Sequence, residues 1–402
     1  MRRVRLSIMQ NYYDIDFEVP FRHRVRFTEN LAEEEFNVLL ELFEAPRDMR
    51  PRVLVVVDAQ LLQNSGRVNE LITRLQRSEK ILLLDGASER QPSPAFVMPG
   101  GEAVKNSTEH VEGLLSLINE RNLDRRSYIV AIGGGAVLDA AGYAAAIAHR
   151  GIRLIRIPTT TLAQGDSGVG VKNAINFFKK KNWNGTFAVP WAVINDAALL
   201  TTLPTRDFRC GFSEAIKVAL LKSPADFENL CSNARRIANR EMKVAFAAIK
   251  TACLWHLKHI TRGGDPFEAL EARPLDFGHW SAHKMEQMSG YRLRHGEAVG
   301  IGVAIDCIYS HRVLGFPIED VQRVIDCLRD FELPLWDSTL NDFEILKAGL
   351  EEFRQHLGGR LTVTMLSAIG DPVDVHEIDL DQMRASIEDL RDLQASPRGV
   401  TE

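Results

Sequence analysis

His279, His283 and His295 fall close together in the chain, interleaved with Asp276, Glu286 and Glu297. His279 and His283 are four residues apart, so both imidazoles share one face of a helix and can hold a single metal ion. His295 offers a further nitrogen from the next element. Each histidine taken singly also fits a core residue bonded to a backbone carbonyl, but three among carboxylates point to a metal. Gly133-Gly134-Gly135-Ala136-Val137-Leu138-Asp139 follows an apolar strand and opens a helix. Glycines there let the backbone approach a pyrophosphate, whose charge the helix N-terminus favours. The segment is not GxGxxG, and a tight strand–helix turn accounts for it equally well. Lys172-Asn173 and Lys179-Lys180-Lys181-Asn182 cluster amines and amides that suit a phosphate, or form a solvated basic loop. Glu214 and Lys217 lie one helical turn apart. Such a pair is a surface salt bridge worth ~0.2–0.5 kcal/mol unless its helix faces a cleft.

The elements that must position these residues follow from periodicity. Arg52 to Asp58 is a near-continuous β-branched run, and Ile81–Leu84, Tyr128–Ile132 and Ile152–Ile157 are further apolar strands. Helical patterns at 67–78, 107–122 and 137–149 alternate with them, which predicts an α/β doubly wound parallel sheet. Residues 1–30 alternate as a pair of half-exposed strands, and 31–45 have helical spacing. Beyond residue 190, helical patterns dominate 211–262, 279–312, 318–331 and 342–356, with a late strand at 361–366. The expectation is a nucleotide-binding α/β domain over 1–190, a mostly α-helical domain over 191–392 and a flexible tail over 393–402.

Composition agrees with two domains. The chain has 402 residues, 45% hydrophobic and 26% charged, more than one ordinary core needs. A net charge of −5 gives no basic field for nucleic acid. The five cysteines have no CxxC spacing and read as buried thiols of a reducing compartment. No long apolar run suggests a signal or membrane span, so a cytoplasmic protein is expected.

The motifs PGGEAVK (99–105), GGGAVLD (133–139), RG (150–151), PTTTLAQGDSGVGVKNAIN (158–176), KN (181–182), TLPTRDFRCGFSEAIK (202–217), DFGHWSAHKMEQMSGY (276–291) and HGEAV (295–299) occur in this order. Together they resemble the sugar phosphate cyclases, the family founded on 3-dehydroquinate synthase, from about Arg52 to Asp371. The resemblance implies an NAD-binding domain, a helical domain holding Zn2+ (or Co2+), and a sugar phosphate in the cleft between them. It implies Glu214, His279 and His295 as metal ligands, which turns His283 toward the substrate. It implies NAD contacts from Asp58, Glu102, Lys105, Gly133, Gly134, Asp139, Thr159, Thr160 and Thr202. Asp166, Lys172, Lys181, Asn182, Lys217, Lys258, Glu268 and His283 would face substrate and phosphate. Arg150 would reach the neighbouring subunit's site, which implies a homodimer.

The chain departs from the 3-dehydroquinate synthase pattern at three places. Asp276 replaces an Asn, Ala272 replaces an Arg with Arg273 one residue late, and the stretch around His356-Leu357-Gly358-Gly359 replaces lysines. Asp276 and His356 resemble the sedoheptulose 7-phosphate cyclases of the 2-epi-5-epi-valiolone synthase type, whereas His283 resembles the dehydroquinate side. Sedoheptulose 7-phosphate is the expected substrate, because an ionised Asp276 ~4 Å from a C1 carboxylate would repel it by roughly 4 kcal/mol at an effective dielectric of about 20. Three alternatives stand beside this: 3-dehydroquinate synthase itself, a metal-dependent polyol or alcohol dehydrogenase of the same architecture, and a non-catalytic binding relative. The dehydrogenases lack the phosphate set Lys172, Lys181 and Asn182.

Overall fold

The computed structural model describes residues 13–87, 93–178, 180–263, 265–267, 274–356 and 359–395. The N-terminal half contains strands β1 (Val25–Thr28), β2 (Arg52–Asp58), β3 (Leu82–Leu83), β4 (Phe96–Met98), β5 (Tyr128–Gly133), β6 (Arg153–Pro158), β7 (Lys172–Phe177), β8 (Lys180–Phe187) and β9 (Ala192–Asp196). Its helices are α1 (Phe36–Leu40), α2 (Ala59–Asn64), α3 (Gly66–Arg77), α4 (Glu109–Glu120) and α5 (Gly135–Ile147). Seven strands form one sheet in the order β1-β9-β6-β5-β2-β3, with β4 also on β2. Every pairing in it is parallel. Val53, Val55 and Val57 enter the core on one face, and Leu54 and Val56 the core on the other. That two-sided burial is why β2 reads as an unbroken apolar run.

Asp58 pairs with Met98, and Gly133 pairs with Pro158. The strands therefore end together, and the loops after them line one crevice, where ligands bind in open α/β sheets. The sheet's last strand, β9, lies past residue 190, so the α/β domain extends beyond the expected boundary. The apolar run there, Trp191-Ala192-Val193-Ile194, is short and follows Pro190, and parallel pairing to β6 and β1 makes it a strand. In the expected strand pair near the N-terminus only β1 is a strand; residues 13–22 belong to no helix or strand. Within 31–45 only Phe36–Leu40 is α-helix.

The C-terminal half comprises α6 (Thr205–Cys210), α7 (Phe212–Lys222), α8 (Pro224–Ala238), α9 (Met242–Arg262), α10 (His279–Met288), α11 (His295–Leu314), α12 (Ile318–Asp330), α13 (Phe343–Leu346), α14 (Ala348–His356), the antiparallel pair β10 (Val363–Ala368) and β11 (Asp371–Val375), and α15 (Leu380–Ala395). Helix α11 is central: every residue from Gly296 to Ser310 is buried. Gly302 lets α11 cross the start of α10, since a Cβ there would lie 2.1 Å from the Gly278 carbonyl oxygen. Helix α15 carries the chain into the expected tail, and residues from 396 on lie outside the described set. No helix among the described residues is long and apolar enough to cross a membrane.

Candidate active site

Glu214 sits in the first turn of α7, a helix buried on nearly every residue, so its pair with Lys217 is no surface salt bridge. Lys217 Nζ lies 2.5 Å from Glu214 Oε2, and both side chains are 3% exposed. Burial alone would raise the Glu214 carboxyl, but Lys217 and His279 hold it well below its ordinary value. Burial would likewise lower the Lys217 ammonium, but Glu214 and Asp166 raise it.

Two imidazoles converge on the same carboxylate. Gly278, at φ 77 in the left-handed region that favours glycine, turns the chain so that His279 begins α10. Asp306 of α11 fixes this turn by accepting from Gly278 N and Trp280 Nε1, both at 2.9 Å. At the start of α11, Glu297 accepts from the Arg294 backbone N–H at 2.9 Å, which sets His295 as the first helical residue. His279 Nε2 and His295 Nε2 each lie 3.3 Å from Glu214 Oε1. His279 Nδ1 is 3.1 Å from the Phe277 carbonyl and His295 Nδ1 is 2.9 Å from Glu286 Oε2. Both Nδ1 protons are thus committed, which turns the two Nε2 atoms toward Glu214 Oε1, the oxygen that Lys217 leaves open. A cation resolves this arrangement. The 3.3 Å separations match the edge of a tetrahedron with bonds of ~2.0–2.1 Å. Without one, His295 is protonated: burial would lower it, but Glu286 raises it to about 9.

His283 lies one turn beyond His279, its ring 5.2 Å away and edge-on. Burial, with the Lys181 ammonium nearby, keeps it well below its ordinary value and therefore neutral. Lys181 reaches from β8 to both Glu286 oxygens at 2.8 and 3.1 Å. Asp166 sits in a π-helical turn, Ala163–Ser167, a distortion frequent at functional sites. His256 Nδ1 is 2.6 Å from Asp166 Oδ1. Burial alone would raise Asp166, but His256 and Lys217 lower it.

The cofactor-side residues gather at the strand ends. Asp58 caps α2 by accepting from Gln60 N at 2.8 Å, and a Cβ on Gly100 would lie 2.6 Å from its Oδ2. Burial raises the Asp58 carboxyl. Helix α5 has no side-chain N-cap, so the amides after Gly133 and Gly134 stay available. Thr159 N donates to the Gly133 carbonyl at 3.0 Å, and Thr160 Oγ1 accepts from Ala163 N at 3.1 Å. Lys105 Nζ pairs with Asp139 at 2.8 Å and also donates to Asn182 Oδ1. Asn176 joins Glu102 at 3.0 Å to the Asn182 backbone N–H at 2.9 Å.

Residues 95–210 match the N-terminal 3-dehydroquinate synthase family and residues 211–352 the C-terminal one. The 3-dehydroquinate synthase of Caulobacter vibrioides is 35% identical over 356 residues, covering 84% of this chain and 88% of that protein. This chain belongs to the 3-dehydroquinate synthase family of sugar phosphate cyclases. Solved structures share the fold. The 2-epi-5-epi-valiolone synthase ValA of Streptomyces hygroscopicus subsp. jinggangensis 5008, with NAD+ and Zn2+ bound, has a TM-score of 0.82 at 24% identity, covering 95% of this chain and 100% of that one. A 2-deoxy-scyllo-inosose synthase complexed with carbaglucose-6-phosphate, NAD+ and Co2+ has a TM-score of 0.74 at 22% identity, covering 91% and 96%.

Against the family pattern, the structure brings Glu214, His279, His283, His295, Lys217 and Lys181 into one cluster, with Asp166 beside Lys217. Asp276, half-buried in the turn Pro274–Asp276, lies near enough to Lys217 to help raise its ammonium. Lys172 opens β7 and is exposed. Thr202 is exposed in the loop before α6. Lys258 is not brought to the cluster: its ammonium lies 4.2 Å over the Trp255 ring and beside Lys222. Two positions from His256, it points to the far side of α9. Arg150 is exposed at the end of β6 opposite Pro158, away from this chain's own cluster. Glu268, Arg273 and the His356 side chain lie outside the described residues. Glu286, His256 and Asn176 enter the site unforeseen. Glu286 stood among the histidines as a signal and Asn176 closes the 158–176 motif; His256 had none.

Proposed function

We propose that this protein is an NAD- and divalent-metal-dependent cyclase that eliminates phosphate from a seven-carbon sugar phosphate lacking a C1 carboxylate, sedoheptulose 7-phosphate, and closes a carbocycle. The observation that carries the metal-dependent chemistry is the convergence of His279 Nε2 and His295 Nε2 on Glu214 Oε1, each at 3.3 Å, while Lys217 holds Oε2. Glu214, His279 and His295 would hold the cation. Asp58, Glu102, Lys105, Gly133, Gly134, Asp139, Thr159, Thr160 and Thr202 would flank the dinucleotide, its pyrophosphate at the N-terminus of α5. When bound, NAD supplies a reversible hydride acceptor and the ion, Zn2+ or Co2+, supplies Lewis acidity at the substrate's C5 oxygen.

The protein's own groups do the remaining work. A C5 ketone acidifies the adjacent C–H, so the C6–H and C7–O bonds can break together with phosphate as leaving group. Lys172, Lys181, Asn182 and the neutral His283 would hold that phosphate, whose own oxygen would take the proton. Lys217 would stabilise negative charge developing on the substrate oxygen. Asp166, oriented by His256, would accept from a substrate hydroxyl.

Substrate choice rests on charge. Lys217 already balances Glu214, Asp166 and Asp276. A substrate carboxylate at C1 would add a fourth negative charge, repelled by roughly 4 kcal/mol from Asp276 at ~4 Å. A hydroxymethyl would instead donate a hydrogen bond. A second reading is 3-dehydroquinate synthase, favoured by the name of the 35% identical relative. Phosphate release measured separately with each sugar phosphate decides between them.

The homodimer belongs to the same proposal. Arg150 would complete the partner's phosphate site. Mixing inactive Arg150→Ala and Lys172→Ala proteins should restore part of the activity in heterodimers, because one site per dimer regains both groups. No recovery despite proven subunit exchange would count against it.

A further inference from the structure

Residues 13–21 (YDIDFEVPF) belong to no helix or strand, and apolar residues occupy every second position. Tyr13, Ile15, Phe17, Val19 and Phe21 are 57% to 83% exposed. Among the described residues, no backbone hydrogen bond ties 13–22 to the rest of the protein. As a strand this segment would have one apolar face and two unsatisfied edges, the features that drive pairing with another strand.

The hairpin of β7 and β8 has the complementary features. It is a two-stranded sheet, so the outer edge of β8 pairs with no described strand. Trp183, Phe187 and Phe178 are exposed on it. No carboxylate occurs from Lys172 to Phe187, which contains Lys180 and Lys181, whereas Tyr13–Phe21 carries Asp14, Asp16 and Glu18 and no basic residue. Asn182, at φ 54, and a register shift interrupt β8, so its regular stretch is Asn184–Phe187, which part of Tyr13–Phe21 can run along. In the single chain Phe21 meets Phe267, ring centroids 6.1 Å apart, and Phe267 meets Phe187 at 5.5 Å. The segment therefore leaves from the hairpin's end yet does not pair with it.

We propose that Tyr13–Phe21 of one copy adds as a strand to the β8 edge of a second copy, its aromatic face on Trp183 and Phe187 and its carboxylates toward Lys180. This deepens the dimer proposed above and rests on it. Because β7 and β8 carry Lys172, Lys181 and Asn182, the exchange ties assembly to the loop that holds phosphate. Two-fold symmetry makes the contact twice, so each substitution counts twice.

The test uses the full chain carrying Phe17→Cys and Trp183→Cys, treated with a short bismaleimide and analysed by mass spectrometry. The expected product joins residue 17 of one chain to residue 183 of another and runs as a covalent dimer. In a second variant, Phe17→Asp with Val19→Asp, the dimer dissociation constant should rise by roughly a hundredfold. Amides of residues 180–187 should then exchange faster. A 17–183 link found only within single chains overturns the proposal, as does an aspartate variant with unchanged dimer affinity and β8 exchange. A wild type that sediments as a monomer at all concentrations overturns the dimer itself, whereas a dimer lacking the link refutes only the strand exchange.

Discussion

Glu286 carries two loads, and Glu286→Gln separates them. Its carboxylate accepts from His295 Nδ1 at 2.9 Å and receives Lys181 Nζ at 2.8 and 3.1 Å. The amide keeps the shape and one acceptor but loses the charge. With its oxygen kept toward His295, its NH2 meets the Lys181 ammonium, donor against donor. Carboxylates that orient a metal-binding histidine are worth about 10–100-fold in metal affinity, or roughly 1.4–2.7 kcal/mol. Loss of the charge-assisted bond to Lys181 should cost the metal-free protein a further ~1.5–3 kcal/mol. The acid limb should change too. Burial would raise the Glu286 carboxyl, but His295 and Lys181 hold it far below its ordinary 4.5. Its stabilisation is therefore present above that value and lost as pH falls toward the lowered one, and the variant should lack this loss. Zinc affinity by competition with a chelator, and urea unfolding of the metal-free protein at pH 3 to 7, measure both effects. A folded variant with wild-type zinc affinity and acid profile would refute this account of Glu286.

Three further outcomes follow. Asp276→Asn should improve kcat/KM for the carboxylate-bearing heptulosonate 7-phosphate by about tenfold or more relative to sedoheptulose 7-phosphate, since it removes a repulsion of several kcal/mol; an unchanged ratio would place Asp276 away from C1. His256→Ala should lower kcat by about tenfold or more through a disordered Asp166, with KM little changed, and His256→Asn should recover part of it by presenting an N–H near the former Nδ1; equal loss in both variants would contradict the orienting role. Burial pushes Asp306 up to about 7 despite its bonds to Trp280 and Gly278. Its contribution is then complete below the ordinary 3.8 and is lost as pH rises through about 7, at most roughly 4 kcal/mol. Asp306→Asn should flatten that slope in urea titrations at pH 4 to 8, and an equal slope in the variant would contradict the assignment.

The parallel sheet was legible because strands buried on both faces must be apolar throughout, as in Arg52–Asp58. The hairpin of β7 and β8 was not, because a small exposed sheet rich in Lys and Asn has no apolar alternation, and it read as a basic loop. Helical spacing brought His279 and His283 together but could not say which one meets Glu214. That depends on α7, α10 and α11 packing together, as does the burial of the Glu214–Lys217 pair. Glu286 and Lys181 are far apart in sequence and meet only because β8 crosses to α10, so spacing alone gave no sign of their contact. The alternation near the N-terminus predicts two strands, but only Val25–Thr28 is one, because a strand also needs a neighbour and residues 13–22 have none among the described residues of their own chain.

The most direct test is inorganic phosphate release from sedoheptulose 7-phosphate by the zinc- and NAD-loaded protein, with absorbance at 340 nm followed in the same cuvette. Phosphate should appear over many turnovers with no net NADH, and should vanish in His279→Ala. Release from the carboxylate substrate alone would make the protein a 3-dehydroquinate synthase. Accumulation of NADH without phosphate would make it a dehydrogenase and contradict the account at its centre.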